Sequence, residues 1–293
     1  MKVSENSKIL FVINPGSGAG NTDWKKEITN FFSDKKHQID FILLPKGFDA
    51  ENIKQQVAKF SPDILGVVGG DGTITTIAGI ANKLNLPLAV FPGGSANGLA
   101  KELNIPNDPI GCLEYFLSSS AMCHDAIDIN GKICLHLGDI GMNAQLIKYY
   151  DENNIRGKLG YAKVLMKMMV NKIKIPLTLF NDKNTIERTA LMVVLANASK
   201  YGTGLVINAQ GKINDGMFEV VIVKKVSARA LLRLLFFGGR FNPNDVEVYS
   251  AQELNIRTKK RTHFQVDGEY YGKTSTIKAR ILPGYVKVFM KPY

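Results

Sequence analysis

Gly69-Gly70-Asp71-Gly72-Thr73 closes the apolar run Ile64–Val68 and opens Thr73–Leu84, whose apolar residues return at helical spacing. A β-branched run, then glycines, then a helix reads as a strand–loop–helix unit, and the N–H groups at the start of such a helix can face an anion. Glycine also lets backbone approach phosphate oxygens closely. Asp71 separates this loop from a plain turn. A carboxylate beside phosphates repels them unless a cation lies between, so the residue types point to Mg²⁺ with a phosphorylated ligand.

The same unit recurs on either side. Upstream, Ile9–Ile13 ends at Asn14-Pro15-Gly16-Ser17-Gly18-Ala19-Gly20; downstream, Leu88–Phe91 ends at Pro92-Gly93-Gly94-Ser95-Ala96-Asn97. A further strand is expected over 38–44, and helices over 23–32, 50–60 and 96–103. The alternation predicts an α/β domain with a parallel sheet covered on both faces. Ligands bind beyond the carboxyl ends of such strands, where all three glycine loops fall. Each loop alone is a weak signal. The first lacks the Lys-Ser/Thr of a P-loop and has no GxGxxG spacing. A dinucleotide-binding reading, with Asp40 as the ribose acid, stays open, and Asp71 weighs against it.

After about Cys123 the texture turns strand-rich: 126–129, 133–136, 177–180, 191–197, 218–223, 254–258, 262–266, 275–282 and 286–290. Short strands separated by turn signals predict a mainly β-sandwich domain. Helical segments interrupt it at 158–174 and 228–237. The division expected is a nucleotide-binding α/β domain over 1–124 and a β-sandwich acceptor domain over 125–293, whose last strand returns to the first.

The chain has 293 residues, 45% hydrophobic and 22% charged, which fits globular domains and excludes a disordered chain. Its formal net charge of +11 suits a polyanionic partner without choosing among nucleic acid, phosphorylated molecules and an anionic membrane. No nucleic-acid recognition motif appears. Three cysteines, Cys112, Cys123 and Cys134, form no CxxC pair, so neither a zinc site nor a disulfide framework is indicated. His124, His136 and His263 have no ligand spacing. No stretch approaches the roughly 18 apolar residues that span a bilayer. Any membrane contact is therefore expected to be peripheral, with the chain cytoplasmic. The segment 158–174 carries Lys158, Lys163, Lys167, Lys172 and Lys174 around an apolar set, as an interfacial helix would.

GGDGT, with NPGSGAG upstream and FPGGSANGLA downstream, resembles the catalytic domain of the diacylglycerol kinase and sphingosine kinase superfamily, which includes bacterial lipid kinases. RGKLGYA at 156–162, KINDGMFEV at 212–220 and VDGE at 266–269 follow in the family's order. The resemblance spans nearly the whole chain. It implies an ATP-dependent lipid kinase that uses Mg²⁺ and phosphorylates a diacylglycerol-like or sphingoid-like hydroxyl at an anionic membrane surface. A homodimer is left open.

Carried across residue by residue, Gly69, Gly70, Asp71, Gly72, Thr73, Ile74 and Thr75 resemble the ATP-binding segment, with Asp71 positioning Mg-ATP. Asn14, Gly16, Ser17, Gly94, Ser95 and Asn97 fall in the other two nucleotide loops. Asp267 matches the general base, and Glu269 is its neighbour in the same motif. Asp215 matches a structural Mg²⁺ ligand, with the backbone carbonyls of Lys212 and Met217, and Asp128 resembles an acid of the family's metal network. Asn197 and Tyr201 are further candidates to line the site. Many bacterial members carry an acid after the Asn of GTxND, whereas here Gly98 follows Asn97; sphingosine and ceramide kinase-like members also lack that acid. The rival readings are an NAD kinase-like nucleotide kinase and a silent lipid- or nucleotide-binding module. The first would show an Asn-Glu pair that this sequence lacks. Asp71, Asp215, Asp267 and Glu269 together weigh against the second.

Overall fold

A computed structural model of the chain describes residues 1–17, 22–45, 47, 50–152, 174–181, 184–198, 205–206, 212–227, 239–240 and 242–292. The first unit comprises residues 1–124 and 284–293. Strands β1 (Lys8–Ile13), β2 (Gln38–Leu43), β3 (Ile64–Gly69) and β4 (Leu88–Pro92) alternate with helices α1 (Trp24–Phe32), α2 (Ala50–Phe60) and α3 (Asp71–Leu84). Two more helices follow, α4 (Gly98–Glu102) and α5 (Pro109–Ser118). All strand pairs are parallel, in the order β4-β3-β1-β2. The chain leaves β1 to one side for β2 and crosses to the other for β3. The carboxyl ends of β1 and β3 therefore flank the point where strand order reverses, the usual ligand position in an open α/β sheet.

Burial explains why these runs became strands. β3 and β4 are buried at every position, as strands covered by helices on both faces must be. Phe11 on β1 is fully buried, with ring centroids 5.7 Å from Phe91 and 5.9 Å from Phe32. Gly66 leaves room for it, because a Cβ there would lie 2.6 Å from the Phe11 ring. Asp23 caps α1 by accepting the Lys26 N–H at 3.1 Å. Helix α5 begins at Pro109 behind the Asp108 cap, a start signal passed over in the sequence.

The second unit comprises residues 125–283. Its elements are β5 (Ser120–Ile129, begun in the first unit), β6 (Lys132–Cys134), β7 (Leu137–Gly141), α6 (Met142–Glu152), β8 (Ile175–Phe180), β9 (Thr185–Ala190) and β10 (Met192–Ala196). They continue with β11 (Leu205–Val206), β12 (Phe218–Val223), β13 (Gly239–Arg240), β14 (Val246–Ala251), β15 (Glu253–Val266) and β16 (Glu269–Met290). Antiparallel pairing runs β14-β12-β10-β7-β15-β16, and β8 joins β15 while carrying β9. Alternating strand residues feed two apolar clusters, one around Ile140, Val193, Phe218 and Ile256, the other around Leu191, Val194 and Val221. The two strands expected over 254–258 and 262–266 are one strand whose register shifts between Arg257 and Thr262. Those expected over 275–282 and 286–290 are likewise the single strand β16, which ends in the first unit. The helical segments expected at 158–174 and 228–237 lie, but for Lys174, outside the described residues, as do RGKLGYA and Tyr201.

Candidate functional site

Three loops meet at the carboxyl edge of the first sheet. Gly94 approaches Gly70 so closely that a Cβ on Gly94 would stand 2.4 Å from the Gly70 Cα, and one on Gly93 would stand 2.9 Å from the Gly69 N. Only glycine permits that contact. Side chains then tie the loops together. Asn14 Nδ2 donates to Thr73 Oγ1 at 2.8 Å, and Ser17 Oγ donates to the Gly93 carbonyl at 2.6 Å. Asn97, at φ 50°, brackets Gly94: its Oδ1 accepts the Gly94 N–H and its Nδ2 donates to the Gly94 carbonyl, both at 2.8 Å.

Asp71 is the main brace. Its Oδ2 accepts the Gly98 N–H at 2.9 Å and its Oδ1 the Leu99 N–H at 3.1 Å. The acid of GGDGT thus caps α4 and fixes the third loop against the second. Each oxygen keeps a lone pair, so the carboxylate can brace a helix and still face a cation's water shell. The structure divides the expected nucleotide residues. Asn14, Ser17, Thr73 and Asn97 spend side-chain groups on shaping the loops. Gly16 and Ser95 are exposed; Gly70, Gly72 and Thr75 are half-buried. Ile74 is 1% exposed and belongs to the core, so only its backbone could meet a nucleotide.

In the second unit, VDGE is a hairpin turn. Val266 pairs with Glu269, and Asp267 (φ 46°) and Gly268 (φ 84°) form the two-residue loop of an Asp-Gly hairpin. The Asp267 carboxylate is only 7% exposed. Its Oδ2 accepts the Leu135 N–H at 2.8 Å, and its Oδ1 accepts those of His136 at 3.0 Å and Leu137 at 3.1 Å. Asp267, the expected base, thus anchors the β6–β7 crossing through these bonds. Burial, and then the Asp267 charge, push the neighbouring Cys134 thiol well above its usual range, so it stays protonated. Glu269 is the contrast. It is exposed, and its Oε2 accepts the Tyr271 hydroxyl at 2.8 Å. Burial first, then that bond and the Glu269 charge, push the Tyr271 phenol up to about 12, so it remains a donor.

Around KINDGMF, Asp215 is exposed and its Oδ1 accepts the Met217 N–H at 3.1 Å. Gly216, at φ 73°, makes the turn. The residue that fixes this loop is Asp125, which the sequence reading passed over. It is 2% exposed, its Oδ2 accepts the Gly216 N–H at 2.8 Å, and its N–H donates to the Ile213 carbonyl at 2.8 Å. Asp128 does not join them. Three residues along the same strand, it falls on the opposite face. It closes the β5–β6 turn by accepting the Gly131 N–H at 2.7 Å. Strand alternation was the available signal for choosing Asp125. Asn197 is fully buried and donates to the Asp125 carbonyl at 2.8 Å, a structural role. Among the described residues no three His, Cys, Asp or Glu side chains cluster as a metal site. A set of the Asp215 carboxylate with the Lys212 and Met217 carbonyls needs no such cluster, and its oxygens are of the hard type Mg²⁺ takes.

A converged glycine floor on an α/β sheet, followed by a β-sandwich unit with a charged hairpin, is the architecture that two family models match. The Diacylglycerol kinase catalytic domain family matches residues 8–129, and the YegS C-terminal NAD kinase beta sandwich-like domain family matches residues 139–290. The chain belongs to the diacylglycerol kinase-like lipid kinase superfamily. It is 27% identical over 219 residues to a Diacylglycerol kinase of Staphylococcus aureus (strain bovine RF122 / ET3-1), covering 72% of this chain and 69% of that one. The crystal structure of a diacylglycerol kinase from Bacillus anthracis str. Sterne superposes with a TM-score of 0.73 at 19% identity, covering 99% of both chains, a likeness of fold. Among the described residues no helix is long and apolar enough to cross a membrane.

Proposed function

We propose that the chain transfers the γ-phosphate of ATP to the hydroxyl of a diacylglycerol-like or sphingoid-like lipid, working from an anionic membrane surface. The observation that carries this reading is the Asp71 brace. It joins the second and third glycine loops at the carboxyl edge of the first sheet and sets a carboxylate at their rim, which suits a triphosphate held with a cation. In this reading Gly16, Gly70, Gly72 and Ser95 hold the nucleotide, and a carboxylate of the VDGE hairpin accepts the proton. Glu269 takes that role instead of Asp267, because its carboxylate is exposed and engaged by one phenol, whereas Asp267 is filled by three N–H groups. The lipid oxygen forms a bond to the γ-phosphorus as its proton passes to Glu269. The bond to the bridging oxygen breaks, and ADP leaves with that electron pair. Mg²⁺, with Asp71 at the nucleotide and Asp215 with the Lys212 and Met217 carbonyls at the KINDGMF loop, would neutralise phosphate charge and stiffen the loop.

The test is Glu269→Gln. Lipid phosphorylation should fall by roughly 10²–10⁴, the usual worth of a general base. ATP binding, followed by fluorescence titration, should not change. Full turnover in that variant would remove Glu269 from the reaction.

A further inference from the structure

The VDGE hairpin is held from behind by a buried polar chain that no motif contains. Gln265 is fully buried, and its register partner across β7 is Asp139, 2% exposed. Gln265 Oε1 accepts the Gly268 N–H at 2.9 Å. Gln265 Nε2 donates to Asp139 Oδ2, which also accepts from Nδ2 of Asn143 at the start of α6. The chemistry fixes the orientation of the amide. A backbone N–H can only donate, so the carbonyl end of Gln265 must face Gly268. Its NH₂ end must then face an acceptor, and the Asp139 carboxylate is one. Turned over, the amide would set NH₂ against N–H and oxygen against carboxylate.

A buried carboxylate is costly unless it is hydrogen-bonded, and burial deep in a core restricts each group to one arrangement. Gly268 immediately precedes Glu269, and both residues of the turn lie at positive φ, so a change in the Gly268 amide plane re-aims the Glu269 side chain. We infer that Asp139, acting through Gln265, is a positioning residue that sets the direction of the Glu269 carboxylate. The inference rests on the reading of Glu269 as the proton acceptor. Neither Asp139 nor Gln265 needs to touch substrate.

The experiment measures kcat, KM for Mg-ATP and melting temperature for Asp139→Leu, Asp139→Asn, Gln265→Met and Glu269→Gln, with rates expressed per folded molecule. Asp139→Leu and Gln265→Met should each lower kcat by about tenfold to a hundredfold, the cost of a misplaced group, with KM for Mg-ATP unchanged. Asp139→Asn should recover most of the loss, because its amide oxygen can keep both donors. Adding Gln265→Met to Glu269→Gln should leave the residual rate unchanged, since the carboxylate it would aim is gone. Wild-type kcat in Asp139→Leu and Gln265→Met, beside a crippled Glu269→Gln, would overturn the positioning role alone. A further drop in the double variant would do the same. A fully active Glu269→Gln would remove the proton-acceptor reading and this inference with it.

Discussion

Glu269 Oε2 accepts the hydroxyl hydrogen of Tyr271 at 2.8 Å, so two residues on the same face of one strand hold each other at the mouth of the hairpin. The Lys132 ammonium lies 4.8 Å from the centre of the Tyr271 ring and steadies it. The phenol is 40% exposed, so the bond is partly screened. Tyr271→Phe should lower kcat by about fivefold, the worth of one hydrogen bond of ordinary strength. The phenol is pushed up to about 12, above its unfolded value of 10.0, so its stabilising contribution is full below pH 10 and lost as pH rises through about 12. In Tyr271→Phe, ultraviolet titration of tyrosinate should lose a phenol that ionises at about 12. An unchanged titration curve would show that Glu269 and Tyr271 do not interact in solution.

Gly94→Ala should damage the glycine floor more than its one methyl group suggests. The new Cβ has backbone, not a yielding side chain, 2.4 Å away at the Gly70 Cα. Overpacking of this kind costs about 1–3 kcal/mol, and here the two loops must separate. ATP affinity should fall at least tenfold while the melting temperature drops only modestly. Normal ATP binding would mean the floor tolerates separated loops.

Asp71→Ala removes the cap of α4 as well as the acid proposed to meet Mg-ATP. Loss of a side-chain cap costs about 0.5–2 kcal/mol. Asp71→Asn keeps one acceptor oxygen, so it should recover part of the stability and none of the Mg-ATP turnover. Calorimetry and a turnover assay on the pair separate the two effects. Equal stability of both variants would contradict the capping role.

Much of the first unit was legible because each β-branched run is followed by a glycine loop and a helix, and the periods change at the loops. The boundaries of α2 and β12 fall where the residues indicated. The second unit was less legible. β9 (Thr185–Ala190) alternates exposed and covered residues with only Ile186 and Ala190 apolar, so it carries little hydrophobic signal. α6 begins directly behind β7 with no cap residue between them. At the candidate site the residue types were readable and their duties were not. Asp267 reads as a reactive acid, but its duty depends on three N–H groups more than a hundred residues away in sequence. Gln265 acts through contacts that no local pattern announces.

Asp267→Asn should therefore act first on stability. Asparagine cannot accept with both ends, so at least one N–H of 135–137 would be left facing an NH₂ group. An unsatisfied buried donor costs about 1–3 kcal/mol. Urea unfolding should show the loss, with turnover per folded molecule falling far less than in Glu269→Gln. A catalytic loss with no change in stability would return the base role to Asp267.

Acid should weaken the second unit through Glu247. Bonds from the Tyr249 hydroxyl and the Arg188 guanidinium, the latter at 2.7 Å, hold the Glu247 carboxyl down at about 2. A depressed carboxyl stabilises above its unfolded value of 4.5, and the contribution is lost as pH falls through about 2. Glu247→Gln should lower the melting temperature at pH 7 and leave it nearly unchanged below pH 2. A constant difference across that range would show that ionisation of Glu247 is irrelevant to stability.

The proposed phosphoryl transfer to a lipid can be read directly with γ-labelled ATP. Wild-type protein is incubated with Mg-ATP and mixed micelles of diacylglycerol, monoacylglycerol, phosphatidylglycerol, sphingosine or ceramide, with NAD as a soluble control. Label should appear in one or more lipid extracts and not in NAD, and Glu269→Gln should lose it. Label in NAD with every lipid blank would contradict the proposed transfer.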